Sequence, residues 1–356
     1  MAPSKEDGAA AATAEQIGSI ALGRSGGRND NEAENNEDAA DKNETPTMMC
    51  SACEKKSDSL KKCRNCKCVW YCDKECQNKH WKEHKKECRL VKNILDQRGG
   101  KLDVGTEKDL GPLAALPPKE ECPICMHVLP LHTVLSTYAA CCGKILCCSC
   151  DHRHKMKNKG RSRTCAFCRT VVPKSGEEVL VQLRKRVELK DPTALYNMAL
   201  HYRDGDLGLP VDQSKCTELL LEAADLDFPD VQYNLGRCHF FGEMGLKQNK
   251  EEGIKYTEKA AEGGHIKARH NLGCAEDENG DRVAAMRHWR LAASGGHRKS
   301  MGALSICFER GLLRHDDLAE TLQAFYRSRA ELKSEDRDKY IAHLKKTGEY
   351  EAEYDM

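Results

Sequence analysis

The sequence predicts a mainly α-helical protein with a disordered N-terminal tail, two small cysteine-rich modules and an α-solenoid of helix-pair repeats. Three observations support this. Fifteen of the 21 cysteines and one histidine form close pairs between Cys50 and Cys168. A helical pattern with recurring landmarks follows in the C-terminal half. Only 5% of the 356 residues are aromatic and 32% are charged, so one large apolar core is not expected.

The N-terminal segment and the region between the modules have the composition of unstructured chain. Residues 1–47 are rich in Ala, Gly, Asn, Glu and Asp and carry four basic and ten acidic side chains, a composition that predicts an acidic disordered tail. Residues 93–118 carry few apolar residues and several Gly and Pro, which predicts a linker of modest flexibility.

The chain shows no export signal, because no basic region followed by an apolar segment opens it. No apolar run reaches the roughly 18 residues needed to cross a bilayer. We therefore expect a cytoplasmic or nuclear protein, or one in both places, without a membrane partner.

Close cysteine pairs occur in disulfide scaffolds and in metal sites. Two or three residues between soft ligands is typical of tetrahedral zinc. Without an export route the chain stays in a reducing compartment, where such pairs bind metal. The sequence therefore predicts four zinc ions, two in each module. The pairs are Cys50/Cys53, Cys63/Cys66, Cys72/Cys76, His84/Cys88, Cys122/Cys125, Cys141/Cys142, Cys147/Cys150 and Cys165/Cys168.

The first module, residues 48–92, resembles the MYND zinc finger in its ligand spacing and in the flanking segments Tyr71-Cys72, Cys76-Gln77 and His80-Trp81-x-x-His84-Lys85. The resemblance implies interleaved pairs and two closed, structural zinc shells. It also implies that the finger binds short proline-containing peptides of partner proteins. One ion would be held by Cys50, Cys53, Cys72 and Cys76, and the other by Cys63, Cys66, His84 and Cys88.

Some residues of this module leave alternatives open. His80 is a second candidate for the position of His84, although the spacing to Cys88 favours His84. Cys68 falls outside every pair, and we expect a packing role rather than a ligand or redox role. The segment after Cys72 is rich in lysine, which predicts a basic, solvated helix face, and nucleic acid is not an expected partner.

The second module, residues 119–175, resembles a RING finger, clearly in its first and last cysteine pairs. Lys144 occupies the place usually held by a zinc-binding histidine, and Cys141 offers the repair, giving an eight-cysteine variant with a cross-brace. His132, Cys148, His152 and His154 remain alternatives to Cys141. One ion would take Cys122, Cys125, Cys147 and Cys150, and the other Cys141, Cys142, Cys165 and Cys168.

The RING resemblance implies a ubiquitin ligase that docks a charged ubiquitin-conjugating enzyme and needs no nucleophile of its own. By position, Ile124 would supply the apolar contact to that enzyme. Arg169 would be the cation that bridges ubiquitin and enzyme, a role suited to the multi-donor guanidinium. Ala166 stands where active ligases commonly have proline, and a structural role for Ile124 and Arg169 is the alternative.

The C-terminal half contains about three repeats over residues 190–310. The landmarks Tyr196-Asn197, Tyr233-Asn234 and His270-Asn271 recur at a spacing of 37 residues, and Gly302-Ala303 follows after 32. The pairs Ala223-Ala224, Ala260-Ala261 and Ala292-Ala293 are spaced by the same two intervals, 37 and 32. The pattern resembles Sel-1-like repeats, which implies a short α-solenoid. Residues 311–356 then predict capping helices. The aromatic residues Tyr233, Tyr256 and Trp289 are expected in the core rather than in a partner groove.

Together these parts predict a zinc-binding protein-interaction protein. The leading hypothesis is a RING-type ubiquitin ligase or ligase subunit that recruits an unknown target through its finger and repeats. The alternative is a non-enzymatic adaptor with a purely structural RING, in transcription regulation or protein quality control. Much of this depends on motif analogy, since fold alone does not decide function.

Overall fold

The computed structural model describes residues 49–102, 110–130, 135–157 and 164–350. Within them the chain forms twelve α-helices and two two-stranded antiparallel sheets, which confirms the mainly α-helical prediction. The predicted disordered tail, 1–47, lies outside these residues. The elements are β1 Lys61–Lys62, β2 Trp70–Tyr71, α1 Lys74–Gln97, β3 Ser136–Ala139, β4 Lys144–Cys147, α2 Cys148–Lys157, α3 Gly176–Glu188, α4 Pro192–Asp204, α5 Gln213–Ala224, α6 Pro229–Phe241, α7 Lys250–Glu262, α8 Ile266–Glu278, α9 Arg282–Ser294, α10 Arg298–Glu309, α11 His315–Glu331 and α12 Glu335–Thr347.

The chain divides into two compact units. The first unit takes the described residues of Met1–Leu113, Gly273–Ser294 and Lys299–Arg327, and the second takes the described residues of Ala114–Leu272, Gly295–Arg298 and Ser328–Met356. Each cysteine-rich module therefore belongs to a different unit.

In the first unit, α1 follows the β1–β2 hairpin. Asp73 caps the helix, because its carboxylate accepts a hydrogen bond from the Cys76 amide at 2.8 Å. The helix continues to Gln97, past residue 92 where the sequence placed the start of a linker. The reason is that Val91, Ile94 and Leu95 extend its buried face.

The C-terminal part of the predicted linker is also held in place. Leu110 is buried in the core of the first unit, and the Arg290 guanidinium donates to the Gly111 carbonyl at 2.8 Å. Residues 110–113 are thus fixed by side-chain packing and by a buried donor, which the polar composition of the segment did not indicate. Residues 103–109 lie outside the described residues.

The core of the first unit joins the finger to helices far along the chain. Side chains of α9, α10 and α11, among them Trp289, Phe308 and Phe325, form one apolar cluster with Val69 and Val91 of the finger. The sequence placed α11 among the capping helices of the repeats, which stays a prediction. In the structure the apolar face of α11 covers α1.

In the second unit, the β3–β4 hairpin leads into α2, and α12 packs against α2. Arg337 of α12 donates to the backbone carbonyls of Leu332, at 2.7 Å, and of Val128. Arg153 of α2 forms an ion pair with Asp336. The last helix is therefore joined to the second cysteine-rich module.

The repeats begin with α4, whose first turn holds Pro192 and is capped by Asp191. Helix α4 packs against α5, and α6 against α7. A Cβ built on Gly236 would lie 3.0 Å from the Gly253 carbonyl, so the glycines permit the close crossing of α6 and α7. The repeated alanine pairs are buried. Tyr233 and Trp289 are buried, as predicted, whereas Tyr256 is only partly buried at the edge of a core cluster.

In the described residues, none of the helices combines the length and the apolar character needed to span a bilayer.

Candidate metal centres

The structure brings the sixteen predicted ligand residues into four groups. Within each group the four ligand atoms lie within 4.8 Å of one another. The groupings are those implied by the two resemblances, with pairs interleaved along the chain. They are Cys50, Cys53, Cys72 and Cys76; Cys63, Cys66, His84 and Cys88; Cys122, Cys125, Cys147 and Cys150; and Cys141, Cys142, Cys165 and Cys168.

The spacing of the donor atoms fits tetrahedral zinc. A Zn–S bond of about 2.3 Å places neighbouring sulfurs of a tetrahedron about 3.8 Å apart. The Sγ atoms of Cys63 and Cys88 are 3.7 Å apart, and those of Cys141 and Cys168 are 3.4 Å apart. A disulfide requires about 2.05 Å, and all the described cysteines are free thiols. The donor sets therefore suit a soft divalent cation.

The first group lies at the start of the finger. Cys50 and Cys53 flank a tight turn, Cys72 follows β2, and Cys76 lies in the first turn of α1. Burial raises the pKa of Cys50, but hydrogen bonds from the backbone of Ala52 and Cys53 outweigh it and bring the pKa to about 7. This thiol therefore becomes a thiolate more readily than those of Cys72 and Cys76, whose pKa values are raised.

The second group is fully buried. The Nε2 atom of His84 lies 3.3 Å from Cys66 Sγ, so this nitrogen points into the group. His80 lies outside the group, with its Nδ1 atom 2.9 Å from the Tyr71 hydroxyl. The structure thus places His84, and not His80, among the donors, as the spacing to Cys88 favoured.

Residues from α11 surround this second group. The Tyr326 hydroxyl lies 3.3 Å from His84 Nδ1 and donates to Glu87 Oε2 at 3.2 Å. Burial, and then the charge of Glu87, raises the pKa of Tyr326 well above its usual value, so the hydroxyl keeps its proton. Cys68 is buried, with its Sγ 3.3 Å from His315 Nε2.

The third group joins the first loop of the second module to β4 and α2. The hydrogen bond between Cys122 and Cys147 lowers the pKa of Cys147 to about 6 and raises that of Cys122 to about 12. One thiolate is stable without an ion, but several adjacent thiolates require a cation. Zinc supplies that charge and releases the remaining protons.

The fourth group is built on the loop after β3. Arg186 of α3 donates to the carbonyls of Ala140 and Cys141, each at 3.2 Å, and so holds this loop. Lys144 is exposed and lies outside the group.

The described alternatives to Cys141 also lie outside the fourth group. Burial raises the pKa of Cys148 to about 11, so this thiol stays neutral. The His152 ring packs on His343 with centroids 4.6 Å apart, and His154 Nε2 lies 3.1 Å from Thr164 Oγ1. His132 lies outside the described residues.

The two proposed enzyme-contact residues have different surroundings. Ile124 is half-buried and packs against both ligand groups of the second module. Arg169 is exposed, and its guanidinium donates to His154 Nδ1 at 2.7 Å. Because arginine cannot accept a hydrogen bond, the Nδ1 atom of His154 is the acceptor in this contact.

Sequence reasoning missed the residues that support the metal groups from a distance. Tyr326, His315 and Arg186 are separated from the ligands they reach by 45 to 249 residues. No motif links such positions, and only the packing of α11 and α3 brings them together.

Comparison with known families supports the first module and the repeats. Residues 50–88 match the MYND finger family, and residues 192–228, 229–265 and 266–297 each match the Sel1 repeat. The predictions of a MYND finger and of three Sel-1-like repeats are confirmed. That the second module is a RING finger stays a prediction, supported by its two ligand groups.

Similar curated proteins match only a short part of the chain. A SET and MYND domain-containing protein of Dictyostelium discoideum is 42% identical over 53 residues, which is 13% of this chain and 10% of that protein. Chitin synthase regulatory factor 2 of Schizosaccharomyces pombe is 35% identical over 79 residues, 22% of this chain and 15% of that protein. The chain thus spans a small fraction of the length of these relatives.

Two solved structures are also similar. A Sel1 repeat protein from Oxalobacter formigenes is 27% identical, covers 36% of this chain and 98% of its own, and has a TM-score of 0.34. A protective antigen of uropathogenic Escherichia coli with an SLR fold is 25% identical, covers 51% of this chain and 40% of its own, and has a TM-score of 0.37.

With a MYND finger at residues 50–88 and Sel1 repeats at residues 192–297, the chain is a zinc-binding protein-interaction protein.

Proposed function

We propose that this protein is a RING-type ubiquitin ligase or ligase subunit, whose MYND finger and Sel1 repeats recruit the target. The observation that carries the proposal is the arrangement of the cysteines in the second module. The first and third pairs form one ligand group, and the second and fourth pairs form the other. Such alternation is the cross-brace typical of RING fingers.

The surroundings of Ile124 support a docking role. Its side chain is half-buried and lies between the two ligand groups, packed against Cys122 and Cys147 on one side and Leu146 on the other. Two closed zinc shells would hold it rigidly while part of it remains accessible. Binding of a partner to such a rigid apolar side chain costs little free energy, because the side chain loses little conformational entropy.

The surroundings of Arg169 support the bridging role. One N–H donates to His154 Nδ1, which orients the guanidinium. A guanidinium has five N–H donors, so others remain for carbonyl or carboxylate acceptors on ubiquitin and on the conjugating enzyme. The arginine would hold the ubiquitin thioester in a reactive orientation, and the attacking nucleophile would belong to the target that receives ubiquitin.

The recruiting role rests on the other two parts of the chain. The MYND finger would bind a short proline-containing peptide of the target, as its family resemblance implies. The helical repeats would supply a second contact surface. Two weak contacts on one chain raise the effective concentration of a target near the second module.

A non-enzymatic adaptor is the second candidate, and Ala166 favours it. This side chain is buried with Leu146 and Cys165, and it stands where active ligases commonly have an accessible proline. The docking surface next to Ile124 is correspondingly smaller. In the adaptor role the second module is a structural zinc knot, and the finger and repeats form stable complexes.

The test is ubiquitin discharge from a panel of charged conjugating enzymes, using the full, zinc-loaded chain. Ile124→Ala and Arg169→Ala are compared with two matched controls. Ile306→Ala removes an isoleucine that is 50% exposed on α10, and Arg64→Ala removes an exposed arginine of the MYND finger.

We expect discharge with at least one enzyme, loss of it in Ile124→Ala and Arg169→Ala, and no change in either control. Discharge by wild type that both variants retain would contradict the contact assignment. No discharge across the panel by a protein with full zinc content would refute the ligase proposal and favour the adaptor.

A further inference from the structure

We propose that α11 supplies the outer hydrogen-bond shell of the zinc site that contains His84, through Tyr326 on the imidazole and through His315 and Gln323 on the ligand loop. The inference concerns zinc binding by the MYND finger and is independent of the ligase proposal. It makes the finger dependent on a helix that lies more than 200 residues further along the chain.

The first part of this shell acts on the imidazole. His84 Nε2 faces Cys66 Sγ, so in a loaded site this nitrogen would hold the metal and the proton would be at Nδ1. Nδ1 would then donate to the Tyr326 oxygen, which lies 3.3 Å away, and the Tyr326 hydroxyl donates to Glu87 Oε2 at 3.2 Å. These contacts form a hydrogen-bond chain from the Glu87 carboxylate through the Tyr326 phenol to the imidazole that would hold the metal.

Ring packing fixes the orientation of that imidazole. The His80 ring is stacked on His84, with centroids 5.6 Å apart and planes 10° apart. Tyr326 meets His80 edge-on, with centroids 4.4 Å apart. His84 is thus confined on its face by His80 and at Nδ1 by the phenol, which leaves Nε2 directed at the three cysteine sulfurs.

The second part of the shell acts on the backbone between and after the ligands. His315 Nε2 donates to the Cys66 carbonyl at 2.8 Å, and Gln323 Nε2 donates to the Cys68 carbonyl at 3.0 Å. The amide of Cys68 in turn points at Cys66 Sγ at 3.5 Å. Two side chains of α11 therefore hold the loop that aims a backbone donor at a ligand sulfur.

Such outer partners typically change metal affinity by about 10- to 100-fold, because they fix the tautomer, the orientation and the basicity of the ligand. Among the described residues, no hydrogen bond joins α11 to the other group of the finger, Cys50, Cys53, Cys72 and Cys76. It serves as an internal reference within the same finger.

The test uses the full chain with Tyr326→Phe, which removes the hydroxyl and keeps the ring. Tyr233→Phe is the matched control, since Tyr233 is also buried, its hydroxyl also has a hydrogen-bond partner, Asn271, and neither residue belongs to a ligand group. Glu87→Gln tests the end of the chain, because the amide still accepts a hydrogen bond but carries no charge.

Zinc transfer to a competing chelator is measured with a metal-sensitive dye. We expect Tyr326→Phe to weaken the binding of one zinc ion by about 10- to 100-fold, with a smaller effect in Glu87→Gln and none in Tyr233→Phe. A chelator titration of Tyr326→Phe that superimposes on wild type would overturn the proposal.

Cobalt substitution identifies which ion is affected. The visible bands of Co²⁺ depend on its donor set, so comparison with His84→Cys, which replaces the nitrogen donor by sulfur, assigns the bands of this site. We expect Tyr326→Phe to alter those bands alone. The variant could instead lose both finger ions equally and no longer show a change in tryptophan fluorescence on unfolding. That result would indicate that Tyr326 merely stabilises the finger, and it would also overturn the proposal.

Discussion

Replacement of Arg290 tests how the first unit is held together. This side chain is 2% exposed and donates to the Gly111 carbonyl at 2.8 Å and to Glu320 Oε2 at 2.5 Å. It also lies 3.3 Å from Asp317 Oδ1, in a side chain that is 10% exposed. Arg290→Met keeps the length of the side chain but removes the guanidinium that lies beside the buried Asp317 carboxylate.

Removal of one partner from a buried ion pair costs about 3–5 kcal/mol, because the remaining charge is uncompensated. The ratio of folded to unfolded protein should fall roughly 100- to 4,000-fold. The change is read by urea unfolding in a zinc-buffered solution, followed by tryptophan fluorescence. The chain has three tryptophans, Trp70, Trp81 and Trp289, and all belong to the first unit.

Two further variants separate the charge effect from general damage to α9. Arg287→Met removes an exposed arginine of the same helix, and a surface change of this kind stays within about 0.5 kcal/mol. Addition of Asp317→Asn to Arg290→Met removes the buried charge and should recover part of the loss. If Arg290→Met unfolds at the wild-type urea concentration, or if Asp317→Asn lowers stability equally in both backgrounds, the ion-pair reasoning is wrong.

Three further predictions follow from the metal groups and the helix packing. Gly273→Ala should lower the free energy of unfolding in urea by about 1–3 kcal/mol, because its Cβ would lie 2.5 Å from the buried Trp289 ring. Gly302→Ala on α10, where a Cβ meets nothing within 4 Å, should instead raise the free energy of unfolding by up to about 1 kcal/mol. Equal effects of the two changes would contradict the packing argument. Cys141→Ser should lose one zinc equivalent by elemental analysis while Cys148→Ser keeps full content, and the reverse would move the ligand to Cys148. Zinc binding to the apoprotein should release protons, because the ion displaces them from thiols such as that of Cys122, whose pKa is raised to about 12. The affinity for zinc should therefore fall as the pH falls. Proton release is measured by calorimetry in buffers of different ionisation enthalpy, and binding without proton release would show that the ligands are not thiolates.

The metal groups could be anticipated because zinc ligands are paired at short, fixed intervals. Cys63 and Cys66 are brought together by one tight turn, so their role can be recognised without knowledge of the rest of the fold. The same holds for His84 and Cys88, which lie one turn apart on α1. The repeats were equally accessible, because small residues recur in step with the landmarks of each helix pair.

The prediction failed where long-range packing decides. The segment around Leu110 and Gly111 has the composition of a linker, yet a buried arginine on α9 fixes it. The sequence indicated capping helices over residues 311–356, but it did not indicate that Leu322, Phe325 and Tyr326 of α11 lie in one buried cluster with the finger. Composition averages over a segment and does not show which face of it another element covers.

By itself, the sequence determined the MYND finger and the three repeats, because each shows in spacings of a few residues or in a regular period. The grouping of the cysteine pairs into ligand sets was implied by the MYND and RING resemblances. Only the tertiary structure decided that α11 surrounds His84, that α12 packs against the second module, and that Arg186 supports the loop of Cys141. Those contacts join side chains up to 249 residues apart. Each of these contacts depends on the direction in which a whole helix packs. No short spacing or regular period in the sequence indicates that direction.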